Sequence, residues 1–108
     1  MGVDVQTGSD VIADLGTEDG RRRTVAEATE RSGGVLHGLV TCAGLAGSPH
    51  RQGSMLAAVN YFGTVDVLTG LRPLLTPGSA AVAISSNSTT VQPAIPADLV
   101  EALSLIHI

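Results

Sequence analysis

The sequence predicts an α/β fold, and three observations support that class. Short apolar runs alternate with longer stretches of helical periodicity, which is the order of βα units. The chain has 13 glycines but only two aromatic residues, Tyr61 and Phe62, so its core must be aliphatic, as in parallel sheets covered by helices. The run from Val35 to Cys42 is almost continuously apolar, which is typical of a central parallel strand with both faces covered.

Length, charge and cysteine content limit the number of domains, the kinds of partner and the cellular location. A chain of 108 residues has room for one domain, and its net charge of −4 gives no attraction to nucleic-acid phosphates or to an anionic membrane. Cys42 is the single cysteine, and the N-terminus lacks the pattern of a secretory signal. We therefore expect no nucleic-acid or membrane partner and a cytoplasmic location.

The first third of the chain predicts two short strands and a helix. The strands are Gly2–Val5 and Val11–Ala13. The helix runs from Glu18 to Arg31, with Thr17 as its N-cap and Ser32–Gly34 as its left-handed stop. Its predicted inward face comprises Val25, Ala26 and Ala28, and its predicted solvated face carries the arginine triplet Arg21 to Arg23.

The remainder predicts two further strands and two helices. After the strand Val35–Cys42, apolar residues at helical spacing predict a long buried helix from Ser54 to Leu75, stopped by Pro77 and Gly78. Asn60, Asp66 and Arg72 make a membrane span too costly for that helix. Ala80–Ile84 is the next predicted strand, and Pro96 is predicted at the first position of a final helix.

Polar or small residues follow four of the predicted strands. In a doubly wound sheet the carboxyl ends of the strands share one edge, where ligands bind. The residues at those ends are Asp4, Asp14, the turn Cys42–Gly44, and Ser86. Asp4 suits a ribose diol, but its spacing alone favours a turn or capping aspartate, and Asp14 has the same two interpretations. The three histidines and Cys42 have no metal-ligand spacing, and no Gly-x-Ser-x-Gly elbow surrounds Ser86, so a metal site and a serine hydrolase are both unsupported.

Several short motifs, taken in order, resemble the short-chain dehydrogenase/reductase family. They are Gly2–Val5, Asp14–Leu15, Leu39–Gly44, Val59–Thr64 and Ile84–Ser86. The resemblance extends from Gly2 to about Ala102 and is closest to the bacterial 3α-hydroxysteroid dehydrogenase/carbonyl reductase branch. It implies part of a doubly wound Rossmann-like parallel sheet, comprising family strands 2 to 5, without strand 1 or the C-terminal part.

The resemblance also implies roles for individual residues. Asp4, with Val5, resembles the acidic residue that binds the adenosine ribose of NAD, and Asp14 and Leu15 resemble the pair that contacts adenine. Cys42, Ala43 and Gly44 replace the family's Asn-Ala-Gly cofactor turn. Asn60 resembles the asparagine that organises a proton-relay water, and Ser86 resembles the serine that orients the substrate oxygen.

The sequence departs from the family pattern at both ends. The glycine-rich pyrophosphate turn would precede Gly2, and the Tyr-x-x-x-Lys pair is absent, since the chain contains no lysine. The segment Pro93–Leu103 resembles the start of an insertion that delays this pair. Leu103–Ile108 resembles a translated sequencing adapter, so residues 1–102 are predicted to be a partial NAD-binding domain and residues 103–108 a tail.

Two functions remain open at this stage. The resemblance implies a fragment of an NAD-dependent oxidoreductase that interconverts a secondary alcohol, such as a hydroxysteroid, and a ketone, inactive alone and homo-oligomeric in its full-length parent. The alternative is a noncatalytic dimerising or nucleotide-sensing module. Without strand 1, the strands on its two sides are expected to remain separated by a gap of one strand, and we expect the isolated chain to be marginally stable and to self-associate.

Overall fold

A computed structural model of the chain describes residues 1–86 and 96–105 and confirms the α/β class. In chain order the elements are β1 (Val3–Asp4), β2 (Val11–Ile12), α1 (Glu18–Ser32), β3 (Leu36–Thr41), α2 (Gly53–Leu56), a π-helical segment (Ala57–Gly63), α3 (Thr64–Leu71), a 3-10 turn (Arg72–Leu74), β4 (Leu75–Ala83) and α4 (Ala97–Leu105). The predicted residue Pro93 lies outside the described residues.

The described strands form two separate parallel pairs, one on each side of a gap. β1 pairs with β2 with Val3 opposite Val11, and β3 pairs with β4 with Thr41 opposite Ala83. No ladder joins the two pairs within the described residues. The expected break in the sheet is therefore present between the two halves of the chain.

Helix α1 has the predicted caps and ends one residue later than predicted. The Thr17 side chain accepts a hydrogen bond from the Gly20 amide at 3.0 Å, and Gly33 ends the helix with a φ of 68°. The predicted inward face is partly wrong, because Ala26 is exposed whereas Thr24 is buried. Burial of Thr24 is possible because its hydroxyl donates to the Gly20 carbonyl at 2.8 Å.

The prediction of a solvated arginine triplet is wrong for Arg21. Its side chain is 13% exposed and donates from Nε to Asp66 on α3 at 2.7 Å. A second donor, Nη1, reaches the Leu15 carbonyl at 2.9 Å, and the guanidinium carbon lies 5.9 Å from the centre of the Phe62 ring. The planar guanidinium binds three partners at once, which only the packing of α1 against α3 makes available.

The predicted helix from Ser54 to Leu75 is present as a continuous helical run from Gly53 to Leu74, but it changes winding along its length. The buried residues of this run recur every three or four positions, which is the predicted helical spacing. They are Gly63, Val67, Leu71 and Leu74. The last three pack with Ala28 of α1 to form the small core between helices and sheet.

The predicted helix stop at Pro77 and Gly78 is wrong, because both residues lie inside β4. The helical run ends instead in the 3-10 turn that contains Pro73, and Leu75 already has extended backbone angles. Gly78 adopts a φ of 93°, which glycine tolerates, and it accompanies an irregularity in the pairing of β3 with β4. The predicted strand Ala80–Ile84 therefore begins five residues earlier, at Leu75, and ends at Ala83.

The expectation that β3 is covered on both faces is wrong for the part of the chain that the structure describes. Leu36 and Leu39 pack on the helical core, whereas Val40 is 62% exposed. On β4 its partner Val82 is 50% exposed, and the following Ile84 is 61% exposed. The described helices α1 and α3 therefore cover one face of this pair only.

Helix α4 begins at Ala97, one residue after the predicted start. The Pro96 carbonyl accepts hydrogen bonds from the Leu99 and Val100 amides. Across the fold, the Tyr61 hydroxyl donates to the Leu103 carbonyl at 3.2 Å. Among the described helices, none has the length and apolar character needed to cross a membrane.

Candidate functional site at the strand ends

Asp4 lies at the carboxyl end of β1 and organises the turn that follows. Its Oδ1 accepts hydrogen bonds from the amides of Val5 at 2.7 Å and Gln6 at 3.3 Å, and its carbonyl accepts from Ala13 at 2.9 Å. Asp4 and Val5 are both exposed. The turn role that the sequence left open is therefore present, and the carboxylate is accessible to solvent at the same time.

Asp14 lies two residues after the end of β2 and builds the entry to α1. Its Oδ1 accepts from the Gly16 amide at 2.8 Å, and its carbonyl accepts from both the amide and the hydroxyl of Thr17. Gly20 packs so closely on this turn that a Cβ there would collide with the Asp14 carbonyl. Asp4 and Asp14 thus lie at the carboxyl ends of two paired strands.

The turn after β2 packs against the π-helical segment, which connects the two halves of the candidate site. A Cβ at Gly63 would lie 3.2 Å from the Leu15 Cβ, and a Cβ at Gly16 would lie 3.2 Å from a methyl group of Val59. Both glycines allow this close approach. Asn60 directly follows Val59, so the predicted adenine-side pair and the predicted relay asparagine belong to adjoining segments.

The loop after β3 is held in place by Asn60. Asn60 Oδ1 accepts from the Leu45 amide at 2.7 Å, and Nδ2 donates to the Leu45 carbonyl at 2.9 Å. A Cβ at Gly44 would lie 3.4 Å from Asn60 Oδ1. Cys42, Ala43 and Gly44 are exposed, so their backbone is open to a ligand while Asn60 supports the loop just beyond them.

Ser86 lies at the same edge as the loop after β3. The pairing of Thr41 with Ala83 aligns the ends of β3 and β4, and the Ile84 amide donates to the Thr41 carbonyl at 2.9 Å. Ser86 follows two residues later and is exposed. The strand ends therefore form two groups, Asp4 and Asp14 on one pair and Cys42 to Gly44 and Ser86 on the other.

Asp10 is an ionisable residue that sequence reasoning did not single out. Its Oδ2 accepts a hydrogen bond from the Gly2 amide at 2.6 Å, and this bond holds the pKa of the Asp10 carboxyl below its ordinary value. The nearby N-terminal amine and Arg31 act in the same direction. The sequence contains no local signal for the contact, because Asp10 and Gly2 are eight residues apart. Among the described residues, no group of three or more His, Cys, Asp or Glu could hold a metal ion.

Comparison with known proteins gives two strong matches, although no protein-family model matches the chain. The chain is 38% identical over 88 residues to a 3-alpha-hydroxysteroid dehydrogenase/carbonyl reductase of Comamonas testosteroni, covering 80% of this chain and 34% of that protein. It is 41% identical to the 3-alpha-hydroxysteroid dehydrogenase of Pseudomonas sp. B-0831, solved in complex with NADH. That structural match has a TM-score of 0.76 and covers 86% of this chain and 36% of the other.

These results define the class of protein first. Parallel strand pairs, helices packed on a sheet face and loops gathered at the strand ends are features of a Rossmann-like α/β protein. In sequence and fold the chain is then similar to 3-alpha-hydroxysteroid dehydrogenase/carbonyl reductase, a short-chain dehydrogenase/reductase, over 80–86% of its own length. The chain spans about a third of the length of the relatives it matches.

Proposed function

We propose that this chain forms the adenosine-side and substrate-side strand ends of an NAD-dependent oxidoreductase that interconverts a secondary alcohol and a ketone. The observation that carries the proposal is the location of Asp4, Asp14, Cys42 to Gly44 and Ser86 at carboxyl strand ends. A hydroxysteroid or another carbonyl compound is the proposed substrate, on the basis of the two relatives.

The residues present fit the adenosine end of NAD. The exposed Asp4 carboxylate retains Oδ2 beside the Oδ1 that the turn uses, and a carboxylate accepts hydrogen bonds from a ribose diol while repelling a ribose phosphate. Val5, Asp14 and Leu15 flank this position in the adjoining turns. Gly44 keeps the backbone of the second loop free of a side chain where a flat ligand would approach.

Bound NAD(H) would supply a hydride acceptor or donor at its nicotinamide ring. Within this chain, the Ser86 hydroxyl would donate a hydrogen bond to the substrate oxygen and hold it in place. Asn60 would keep the cofactor loop in position through Leu45. All 6 basic residues are arginines, so residues 1–108 contain no lysine for a Tyr-Lys proton-transfer pair. We propose that this segment alone has no turnover.

The cofactor assignment is tested by titrating the chain with NADH and NADPH and following nicotinamide fluorescence. Asp4→Asn keeps an oxygen for the turn amides but removes the charge, so it should weaken NADH binding and bring the two affinities closer together. Asp19→Asn, which removes the same charge from the exposed first turn of α1, is the control. A preference between NADH and NADPH that the Asp4 change leaves unaltered would reject the ribose role.

The flanking coding sequence tests the enzymatic assignment. A glycine-rich turn encoded before β1 and a Tyr-x-x-x-Lys pair encoded after α4 would support a longer oxidoreductase. In that longer polypeptide, Ser86→Ala should lower kcat far more than it weakens cofactor binding. Start and stop signals at the ends of residues 1–108 would favour the noncatalytic dimerising or nucleotide-sensing module. We also propose that the longer polypeptide is cytoplasmic and forms a homo-oligomer.

A further inference from the structure

Charge is distributed unequally between the two groups of strand ends. Seven of the 10 acidic residues lie within the first 30 residues, and Asp4 and Asp14 at the strand ends are among them. Between Arg31 and Asp98 the sequence has one acidic residue, Asp66, and Arg21 of α1 binds it at 2.7 Å. The ends of β3 and β4 therefore belong to a part of the sequence whose single carboxylate already has a cationic partner.

Arg51 is the arginine of the loop that follows β3. Its Nη1 donates to the Ala46 carbonyl at 2.8 Å, and its amide donates to the Ser48 carbonyl at 3.1 Å. The residue is exposed, and within residues 1–86 and 96–105 no ion pair joins it to a carboxylate. A guanidinium has five N–H donors, so the bond to Ala46 leaves most of them for another partner.

The support of the Arg51 side chain is itself fixed. Ala46 directly follows Leu45, and the amide and carbonyl of Leu45 both bind the side chain of Asn60. The guanidinium is therefore connected to the same stretch of backbone that continues from the turn Cys42–Gly44. A charged group held in place before binding loses less conformational entropy when a ligand arrives than a mobile one does.

The loop of Arg51 leaves the sheet at the edge that Ser86 shares. The Thr41 carbonyl at the end of β3 accepts from the Ile84 amide at 2.9 Å, and Ser86 follows two residues later. This edge thus offers a hydroxyl at one strand end and a cation on the loop from the other. The ends of β1 and β2 carry the carboxylates of Asp4 and Asp14 instead, so the cation lies on the proposed substrate side.

Arg72 provides an internal comparison. It is exposed, and within the described part of the chain it likewise has no carboxylate partner. Arg72 lies in the 3-10 turn directly before β4, whereas Arg51 lies in the loop after β3. Because β3 and β4 are parallel, the start of β4 is at the opposite edge from the candidate site. The two arginines therefore carry the same charge at opposite ends of one strand pair.

We propose that Arg51 is a specificity-determining residue that binds an anionic group of the substrate, so that the alcohol or ketone of the proposed reaction carries a carboxylate. This inference rests on the proposed function, because Ser86 holds the reacting oxygen in it. The planar guanidinium binds both oxygens of a carboxylate through two parallel N–H donors, which fixes orientation as well as supplying charge. Binding of the carboxylate at the loop would leave the oxygen-bearing end of the substrate for Ser86.

The proposal is tested with two ketones that differ in one group. The probes are 4-acetylbenzoate and 4-acetylbenzamide, which share the ring and the ketone, while the amide replaces the carboxylate without its charge. Each is titrated into the 108-residue chain without cofactor, and NMR follows the Nε–H resonance of Arg51 and the amide resonance of Ser86. We expect 4-acetylbenzoate to bind about fivefold more tightly, as suits one exposed charge pair. At about 1 M salt most of this preference should disappear.

Two arginine variants identify the residue responsible. Arg51→Gln retains an N–H donor for the Ala46 carbonyl but removes the charge, so the preference for 4-acetylbenzoate should be lost. Arg72→Gln removes the same charge at the opposite edge and should retain the preference. Unchanged amide exchange at Leu45 in Arg51→Gln verifies that the loop is intact. A preference that survives Arg51→Gln would overturn the proposal, and so would its loss in both variants, which would reflect net charge alone.

Ser86→Ala and NADH locate the anion within the candidate site. Ser86→Ala should weaken both ketones by a similar factor; if it weakens neither, the anion binds apart from the substrate oxygen and the proposal is overturned. Arg51→Gln should leave NADH affinity unchanged. If it weakens NADH but not the preference between the ketones, Arg51 binds the cofactor pyrophosphate and the proposal is overturned.

The ketone and NADH titrations fail independently of each other. Absence of saturable binding by either ketone would overturn the proposal and would leave the NADH result intact. Absence of NADH binding would count against the proposed cofactor role, while the comparison of the two ketones, measured without cofactor, would still decide the role of Arg51.

Discussion

The side-chain amide of Asn60 binds the backbone of Leu45 through both of its polar atoms, at 2.7 Å to the Leu45 amide and 2.9 Å to the Leu45 carbonyl. Asn60 itself belongs to the π-helical segment, and its own carbonyl accepts from the Thr64 hydroxyl at 2.9 Å. Asn60 therefore attaches the loop after β3 to the helical layer. Such an attachment fixes the backbone of Cys42 to Gly44 without requiring contacts from their own side chains.

This pair predicts that Asn60→Asp will loosen the loop after β3. A carboxylate still accepts from the Leu45 amide, but it repels the Leu45 carbonyl, so one of the two hydrogen bonds is lost. We expect faster amide hydrogen exchange at Gly44 and Leu45 and a loss of about 1 kcal/mol in the free energy of unfolding. Unchanged exchange at both amides would contradict the clamp. Gln52→Glu, a similar charge change before α2, is the control.

We expect the substitution of alanine for Arg21 to lower the free energy of unfolding more than the same substitution at Arg22. Arg21→Ala removes an ion pair with Asp66 in which the arginine side chain is 13% exposed and the carboxylate 35% exposed, and we expect a loss of about 2 kcal/mol. Arg22→Ala removes an ion pair with Glu18 whose partners are 74% and 66% exposed, and the expected loss is below about 0.5 kcal/mol.

Urea unfolding measures both arginine variants. A double-mutant cycle between Arg21 and Asp66 then isolates their coupling from the packing of Arg21 on Phe62. Equal destabilisation by the two arginine substitutions would show that partial burial does not distinguish these residues.

We expect an alanine at Gly20 to cause a steric clash that an alanine at Gly53 does not cause. In Gly20→Ala the new Cβ collides with the Asp14 carbonyl, so the turn must shift or the helix must start differently. The expected loss in the free energy of unfolding is about 2 kcal/mol or more. Gly53→Ala, at the start of α2, introduces a Cβ with nothing within 4 Å and should be neutral or slightly stabilising. Thermal unfolding of the two variants makes the comparison, and similar Tm values would refute it.

Asp10 predicts a pH dependence of stability in the acid range. The Gly2 amide lowers the pKa of Asp10 in the folded chain below its ordinary value of 3.8, so the folded state binds this proton more weakly than the unfolded state. The resulting stabilisation is fully present well above pH 3.8 and is lost as the pH falls through the folded-state pKa. An NMR titration of the Asp10 carboxyl carbon measures that pKa directly.

Asp10→Asn should therefore make the acid side of the stability curve shallower. Glu101→Gln on α4 serves as the control for loss of one negative charge. A folded-state titration of Asp10 above pH 3.8 would contradict the assignment. The assignment would also be contradicted if the stability of Asp10→Asn fell with acid as steeply as that of the unaltered chain.

Much of the local structure follows from nearby residues. Thr17 caps the start of α1 because its hydroxyl accepts from the nearby Gly20 amide. Gly33 caps the end because its positive φ lets its amide donate to the nearby Glu30 carbonyl. The apolar runs similarly predict β1 to β4 to within a few residues at most ends. The start of β4 is the exception, since Leu75 already pairs with Leu36, and Pro77 and Gly78 fall in the stretch before Ala80 where the pairing register shifts.

In the candidate site, too, the sequence identifies some residues but not the contacts that they make. Asp4, Asp14, Asn60 and Ser86 stand out from the sequence because of their position after strands or within an apolar helix. Their partners do not, because the contacts of Asn60 with Leu45 and of Arg21 with Asp66 join residues 15 and 45 positions apart.

The sequence by itself determined the α/β class, the helix caps and the order of family motifs, since each depends on side-chain type and on short spacing. The tertiary structure alone decided that Arg21 is largely buried and that one face of β3 and β4 is exposed. Those features depend on which helix meets which strand. Their free energies arise from contacts made only when distant segments pack together.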